Sequence, residues 1–108
     1  MDQKLNYSEI LTNVIRSEEQ FQPSFVPIKI VGVCDQLRGQ FLLIAIGTQN
    51  NHRVNNIVFH AQLLDGYVII EEDNTEGLSP VLIEAGIRAE DILSGEQAAH
   101  LETFPLAA

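Results

Sequence analysis

An α+β domain is predicted by three features of the sequence: an amphipathic stretch at its start, apolar runs joined by turn residues in its middle, and a second helical stripe after them. The order expected is an N-terminal helix, a four-stranded antiparallel meander sheet and a C-terminal helix, with both helices on one sheet face. At 108 residues the chain makes a single domain, 1–108, large enough to bury one core without disulfides or metal.

The first helix is predicted over Leu5 to Gln20, where Tyr7, Ile10, Leu11, Val14 and Ile15 recur at helical spacing with polar residues between them. Pro23 and Pro27 end it, because proline lacks a backbone donor and restricts the residue before it. Ile28 to Cys34 and Gln40 to Ile46 read as strands joined through Asp35-Gln36-Leu37-Arg38-Gly39, where Gly39 can take a positive φ. Both strands are apolar at odd and even positions alike, the pattern of a sheet covered on both faces. Two helices are too few to do that. Part of one sheet face is therefore expected to meet a second subunit, most simply in a two-fold dimer, the alternative being that loops fold back over it.

Gly47 to Arg53 reads as a polar loop leading into the central hairpin. Val54 to Leu64 and Tyr67 to Glu72 are β-branched and aromatic runs on either side of Asp65-Gly66, a strong signal for a type I′ turn. That turn predicts a register with Leu64 opposite Tyr67, Gln62 opposite Ile69, His60 opposite Glu71 and Val58 opposite Asp73. Ile57, Phe59, Ala61, Leu63, Val68 and Ile70 then share the core face. The other face is more polar, with a His60–Glu71 cross-strand pair, Gln62 and Arg53 nearby, and Tyr67 among Val58, Leu64 and Ile69. A mixed apolar and charged face suits an interface, so Arg53, His60, Gln62, Tyr67 and Glu71 are the candidate interaction residues.

Glu71-Glu72-Asp73-Asn74-Thr75-Glu76 is an acidic run before a helix, with Asn74 or Thr75 as its cap. Its spacing does not match a calcium loop, and no metal is expected. Leu78, Val81, Leu82 and Ala85 fall on one helical face, Pro80 fits the first turn, and Gly86 marks the stop. A short helical turn at Arg88 to Leu93 and an extended tail from Gln97 to Ala108 follow.

Charge excludes one class of function. Six Lys and Arg stand against 15 Asp and Glu, a formal net charge of −9, so direct binding to a phosphate backbone is not expected. Cys34 lies alone in an apolar run, which points to a small buried thiol. No apolar run reaches membrane-spanning length and Met1 to Lys4 leads into an amphipathic stretch, so a cytoplasmic protein is expected. No serine has a nucleophile-elbow context and no glycine-rich phosphate loop is present, so neither catalysis nor a cofactor is expected. The alternative is a small enzyme or ligand-binding domain with a pocket around His60 and Glu71.

Arg53-Val54, His60, Asp65-Gly66, Asp73-Asn74-Thr75-Glu76-Gly77, Glu84-Ala85-Gly86-Ile87 and Glu90-Asp91-Ile92-Leu93 follow one another in an order that resembles the XisI family, named for the fdxN-element excision controlling factor of cyanobacteria. The similarity runs from the first helix to the Phe104-Pro105-Leu106-Ala107-Ala108 tail. Thr48 stands where the family usually has Trp, Ile69 where it has an aromatic residue, and Ser94-Gly95-Glu96 in place of a Gly-Phe segment. The resemblance implies a non-catalytic controlling factor in programmed DNA excision, acting beside a recombinase and a companion protein, XisH. It supplies no catalytic residues.

Overall fold

One face of the strands and the apolar stripe of the first helix close over a common core. The computed structural model describes residues 7–21 and 27–101. Its elements follow the chain as α1 (Tyr7–Glu19), β1 (Ile28–Asp35), β2 (Gln40–Gln49), β3 (His52–Leu64), β4 (Tyr67–Asp73), α2 (Ser79–Glu84), a 3₁₀ turn (Ala89–Asp91), β5 (Ile92–Ser94) and α3 (Gly95–Ala98). The strands lie side by side in chain order. The first four form the expected antiparallel meander, and β5, too short to show a periodicity of its own, pairs parallel to β4 after a crossover through α2. Leu5, Pro23 and the Phe104 to Ala108 tail lie outside the described residues.

Tyr7, Leu11, Val14 and Ile15 of α1 meet Phe41, Leu43, Phe59, Ala61 and Val68 of the sheet, with Leu78, Leu82 and Ile87 closing the same cluster. Both α1 and α2 therefore cover the Phe59 face. Close approach of α1 depends on Gly32, where a Cβ would stand 2.6 Å from Ile15 Cγ2. Cys34 is half-buried on the fringe of this core, and burial pushes its thiol pKa up, which keeps it protonated and unreactive. At Gly39 the chain turns with φ +67°, and a Cβ there would meet the Leu63 carbonyl oxygen at 2.6 Å.

Two irregularities of register correct the sequence reading. Asp65 and Gly66 have φ of 54° and 82°, as a type I′ turn requires. From it the expected pairing holds from Leu64 opposite Tyr67 to Ala61 opposite Ile70, then shifts so that His60 lies opposite Glu72 and Phe59 opposite Asp73. The His60/Glu71 and Val58/Asp73 pairings do not form, because Glu71 is the extra residue of a bulge. Between β2 and β3, Leu43 pairs with Phe59 but Ile44 with Ile57, which leaves Val58 unpaired. That extra residue turns Ile57 from the expected core face to the outer one, where it is 38% exposed. The expected Gly47 to Arg53 loop shrinks to a two-residue turn, since Asn50 and Asn51 both adopt left-handed φ, 53° and 65°.

Neither Asn74 nor Thr75 caps α2, which starts at Ser79 with Leu78 at the cap position and no side-chain cap. Asp73 instead braces the turn that leads to the helix. Its carboxylate accepts the amides of Thr75 and Leu78, each at 2.9 Å, and the Thr75 hydroxyl. Burial alone would raise the Asp73 pKa, but these donors hold it below the usual carboxylate range.

The two ends of the described chain meet at Tyr7. Its buried hydroxyl donates to Asp91 Oδ2 at 2.7 Å and accepts the Arg88 amide at 3.1 Å. Burial and the bond to Asp91 raise the Tyr7 pKa. Because the folded value lies above the unfolded one, this contribution is complete below about pH 10, the unfolded tyrosine value, and is lost as pH rises through the folded pKa. Tyr7→Phe should cost about 1–3 kcal/mol by urea denaturation, since Asp91 loses its buried donor. The alkaline limb of the stability–pH curve should flatten in the same variant.

Candidate interaction site

The predicted polar face is built from three strands. Gln40 on β2 lies opposite Gln62 on β3, and the bulge in β4 brings Glu71 within reach of the same row. His60 Nε2 and Gln40 Oε1 are 2.7 Å apart, Gln40 Nε2 donates to Gln62 Oε1 at 3.1 Å, and Gln62 Nε2 donates to Glu71 Oε2 at 3.0 Å. His60 and Glu71 are thus joined through two glutamines and not directly.

The direction of this relay follows from its carboxylate end. Ionised Glu71 can only accept, so Gln62 must turn its NH₂ towards it and its oxygen towards Gln40. Gln40 then presents its own NH₂ to Gln62 and its oxygen to His60. His60 Nε2 must therefore carry a proton, and in the neutral imidazole Nδ1 is left as an acceptor. Sequence pattern singles out His60, Gln62 and Glu71, but it missed Gln40, which stands on another strand and reaches them only through sheet pairing.

The other two candidates lie elsewhere. Arg53 is near the tip of the β2–β3 hairpin, opposite Thr48, to whose Oγ1 it donates at 3.3 Å. Tyr67 is half-buried beside the Asp65-Gly66 turn, opposite Leu64. Between Arg53 and the relay, the outer face of the sheet carries Val31, Val33, Leu42, Ile44, Ile46 and Ile57 by strand alternation. Val33 is 41% exposed. At the far edge, the one-turn helix α3 packs against β4 and β5, and Ile69 and Ala98 are buried there apart from the main core.

A second surface runs along the helices. One hollow of about 190 Å³ is lined by Ile10, Asn13, Val14, Ser17, Glu18, Val81 and Ala85. A larger one of about 810 Å³ is lined by Glu18, Phe21, Ile30, Thr75, Glu76, Gly77, Leu78 and Val81. Glu18 and Val81 line both, so they form one groove with an apolar floor and carboxylates on its rim. Phe21 stands 70% exposed beside it. No local pattern could have found this groove, because its walls come from α1, β1 and the segment entering α2.

The acidic run holds its own turn together: besides the bonds of Asp73, Glu72 Oε2 accepts Asn74 Nδ2 at 2.8 Å. Among the described residues no group of three or more His, Cys, Asp or Glu is placed to hold a metal ion. No helix among them is long and apolar enough to cross a membrane.

A change of charge at the end of the relay should reverse it. In Glu71→Lys the terminal group donates, so each glutamine must flip and His60 Nε2 must accept. Imidazole ¹⁵N shifts of the neutral His60 ring should show the Nε2–H tautomer in the parent chain and the Nδ1–H tautomer in Glu71→Lys. An unchanged tautomer would show that Glu71 does not orient the row.

Comparison with known proteins places this architecture. The family model described as XisI protein matches residues 1–105. Among solved structures, a XisI-like protein from Anabaena variabilis ATCC 29413 superposes with a TM-score of 0.78 at 21% identity, over 90% of each chain. The fdxN element excision controlling factor XisI from the same organism superposes with a TM-score of 0.70 at 26% identity, over 85% of each chain. No curated protein matches the chain. With a fold similar to these structures and a family match over nearly its whole length, the chain belongs to the XisI family.

Proposed function

We propose that this protein is a non-catalytic controlling factor in the excision of a DNA element, and that it acts by binding protein partners, which make the contact with the duplex. The observation that carries this is the groove between α1 and α2. Val14, Leu78, Val81 and Phe21 supply an apolar floor and wall, Glu18 and Glu76 supply a negative rim, and no Lys or Arg is among the described lining residues. A groove of that character takes an amphipathic segment whose apolar side is flanked by cations. A net charge of −9 works in the same direction, favouring a cationic protein surface and opposing phosphate. An XisH-like companion and a recombinase are the partners that the family resemblance implies. The solved XisI of Anabaena variabilis, described as an fdxN element excision controlling factor, supports the role. Against a ligand pocket at His60 and Glu71 stands the relay itself, in which the two glutamines between them are hydrogen-bonded to their neighbours in the row.

The experiment is a binding measurement with purified components. The isolated protein should leave duplex DNA unshifted at physiological salt and should bind an XisH-like protein. Glu18→Lys with Glu76→Lys should weaken that complex by at least about tenfold, roughly 1.4 kcal/mol, with little change in melting temperature. Tight, salt-sensitive binding of DNA by the isolated chain would overturn the division of labour, and an unaffected complex would move the contact away from the groove.

A further inference from the structure

We propose that the outer face of the sheet is the interface of a two-fold homodimer, in which two copies pack face to face with their strands antiparallel. The face is banded along the strand direction. One end is cationic, with Lys29 on β1 and Arg53 on β3, both exposed. The middle is aliphatic, with Val31, Ile44 and Ile57 in one row and Val33 beside Leu42 in the next. The other end is polar and acidic, with Asp35 opposite Gln40 and the relay running on to Glu71.

A two-fold axis in the plane of the sheet and perpendicular to the strands reverses this order in the second copy. Lys29 then falls over the partner copy's acidic band at Asp35, the two aliphatic rows cover each other, and the charged ends become complementary at both rims. The alternative axis, parallel to the strands, would lay cation over cation. Charge thus selects one arrangement of a second copy. Both sheets present aliphatic side chains of similar size, as sandwich packing about 10 Å apart requires. Nor does α3 obstruct it. The helix stands beside β4 and β5 towards the acidic end, and reversal carries it past the end of the second copy's β4, whose pairing with β3 stops at Asp73.

Asp35 already accepts the Arg38 amide at 3.0 Å and the Arg38 guanidinium at 3.2 Å, which hold its carboxylate below the usual pKa range. It is therefore ionised and fixed in place, with lone pairs left for an incoming ammonium group.

This inference is independent of the partner groove, which lies on the opposite side of the sheet. Sedimentation velocity over a dilution series should give a dimer for the parent chain. Val33→Lys, at an exposed position, should give a folded monomer with the parent circular dichroism spectrum. Lys29→Asp and Asp35→Lys should each weaken the dimer about tenfold by placing like charges at both rims, and the double variant should recover most of the loss. A parent chain that stays monomeric throughout would overturn the proposal. So would a dimer indifferent to Val33→Lys, or a double variant no tighter than the singles.

Discussion

A phenol hydroxyl inside the protein holds the two ends of the described fold together. Tyr7 and Asp91 are 84 positions apart, yet the first turn of α1 is anchored on the 3₁₀ turn that precedes β5. The same hydroxyl takes up the Arg88 amide, which would otherwise be a donor at a buried chain crossing. A buried carboxylate is tolerable only with such a donor facing it. Around this point Leu11, Ile15, Leu82 and Ile87 are at most 1% exposed. The start of α1, the path after α2 and the approach to β5 are tied together by one satisfied polar contact.

Much of this fold is legible in sequence because its signals are local. Asp65-Gly66 specifies a turn, helical spacing marks α1, and Gly86 ends α2 two residues after Glu84. What failed was anything carried past a bulge. A turn specifies register only while each residue on one strand meets one on the other, and Glu71 and Val58 each break that count. Counted from the turn alone, His60 therefore takes the wrong neighbour and Ile57 the wrong face. α3 was missed for another reason. Its signal is present, since Ser94 accepts the Gln97 amide and Gln97 accepts the Ser94 amide in a capping box, but a helix of four residues offers no periodicity to recognise. Of the candidate site, the residue types on β3 and β4 were readable and Gln40 was not, because only sheet pairing brings it to them.

The sheet divides the chemistry of the molecule into two sides. On the helix side, carboxylates rim an apolar groove and favour a cationic visitor. On the open side, cations and carboxylates sit at opposite ends of an aliphatic field and favour a surface with the same pattern reversed. Across the open side, the Glu71 row links side chains of β2, β3 and β4 through one line of hydrogen bonds.

The long path from Tyr7 to Asp91 has a meaning on the ribosome. α1 is synthesised before every strand of the meander, but its anchor is made only after them. Closing so long a loop has an entropic cost before the contact repays it. A nascent chain cut or stalled before Asp91 therefore carries an assembled meander whose first helix has no hydroxyl partner, and an apolar stripe held on the sheet by hydrophobic contact alone. Such an intermediate is open to capture by chaperones and proteases. Completion of the 3₁₀ turn is thus the step at which the hydroxyl of α1 gains its buried partner.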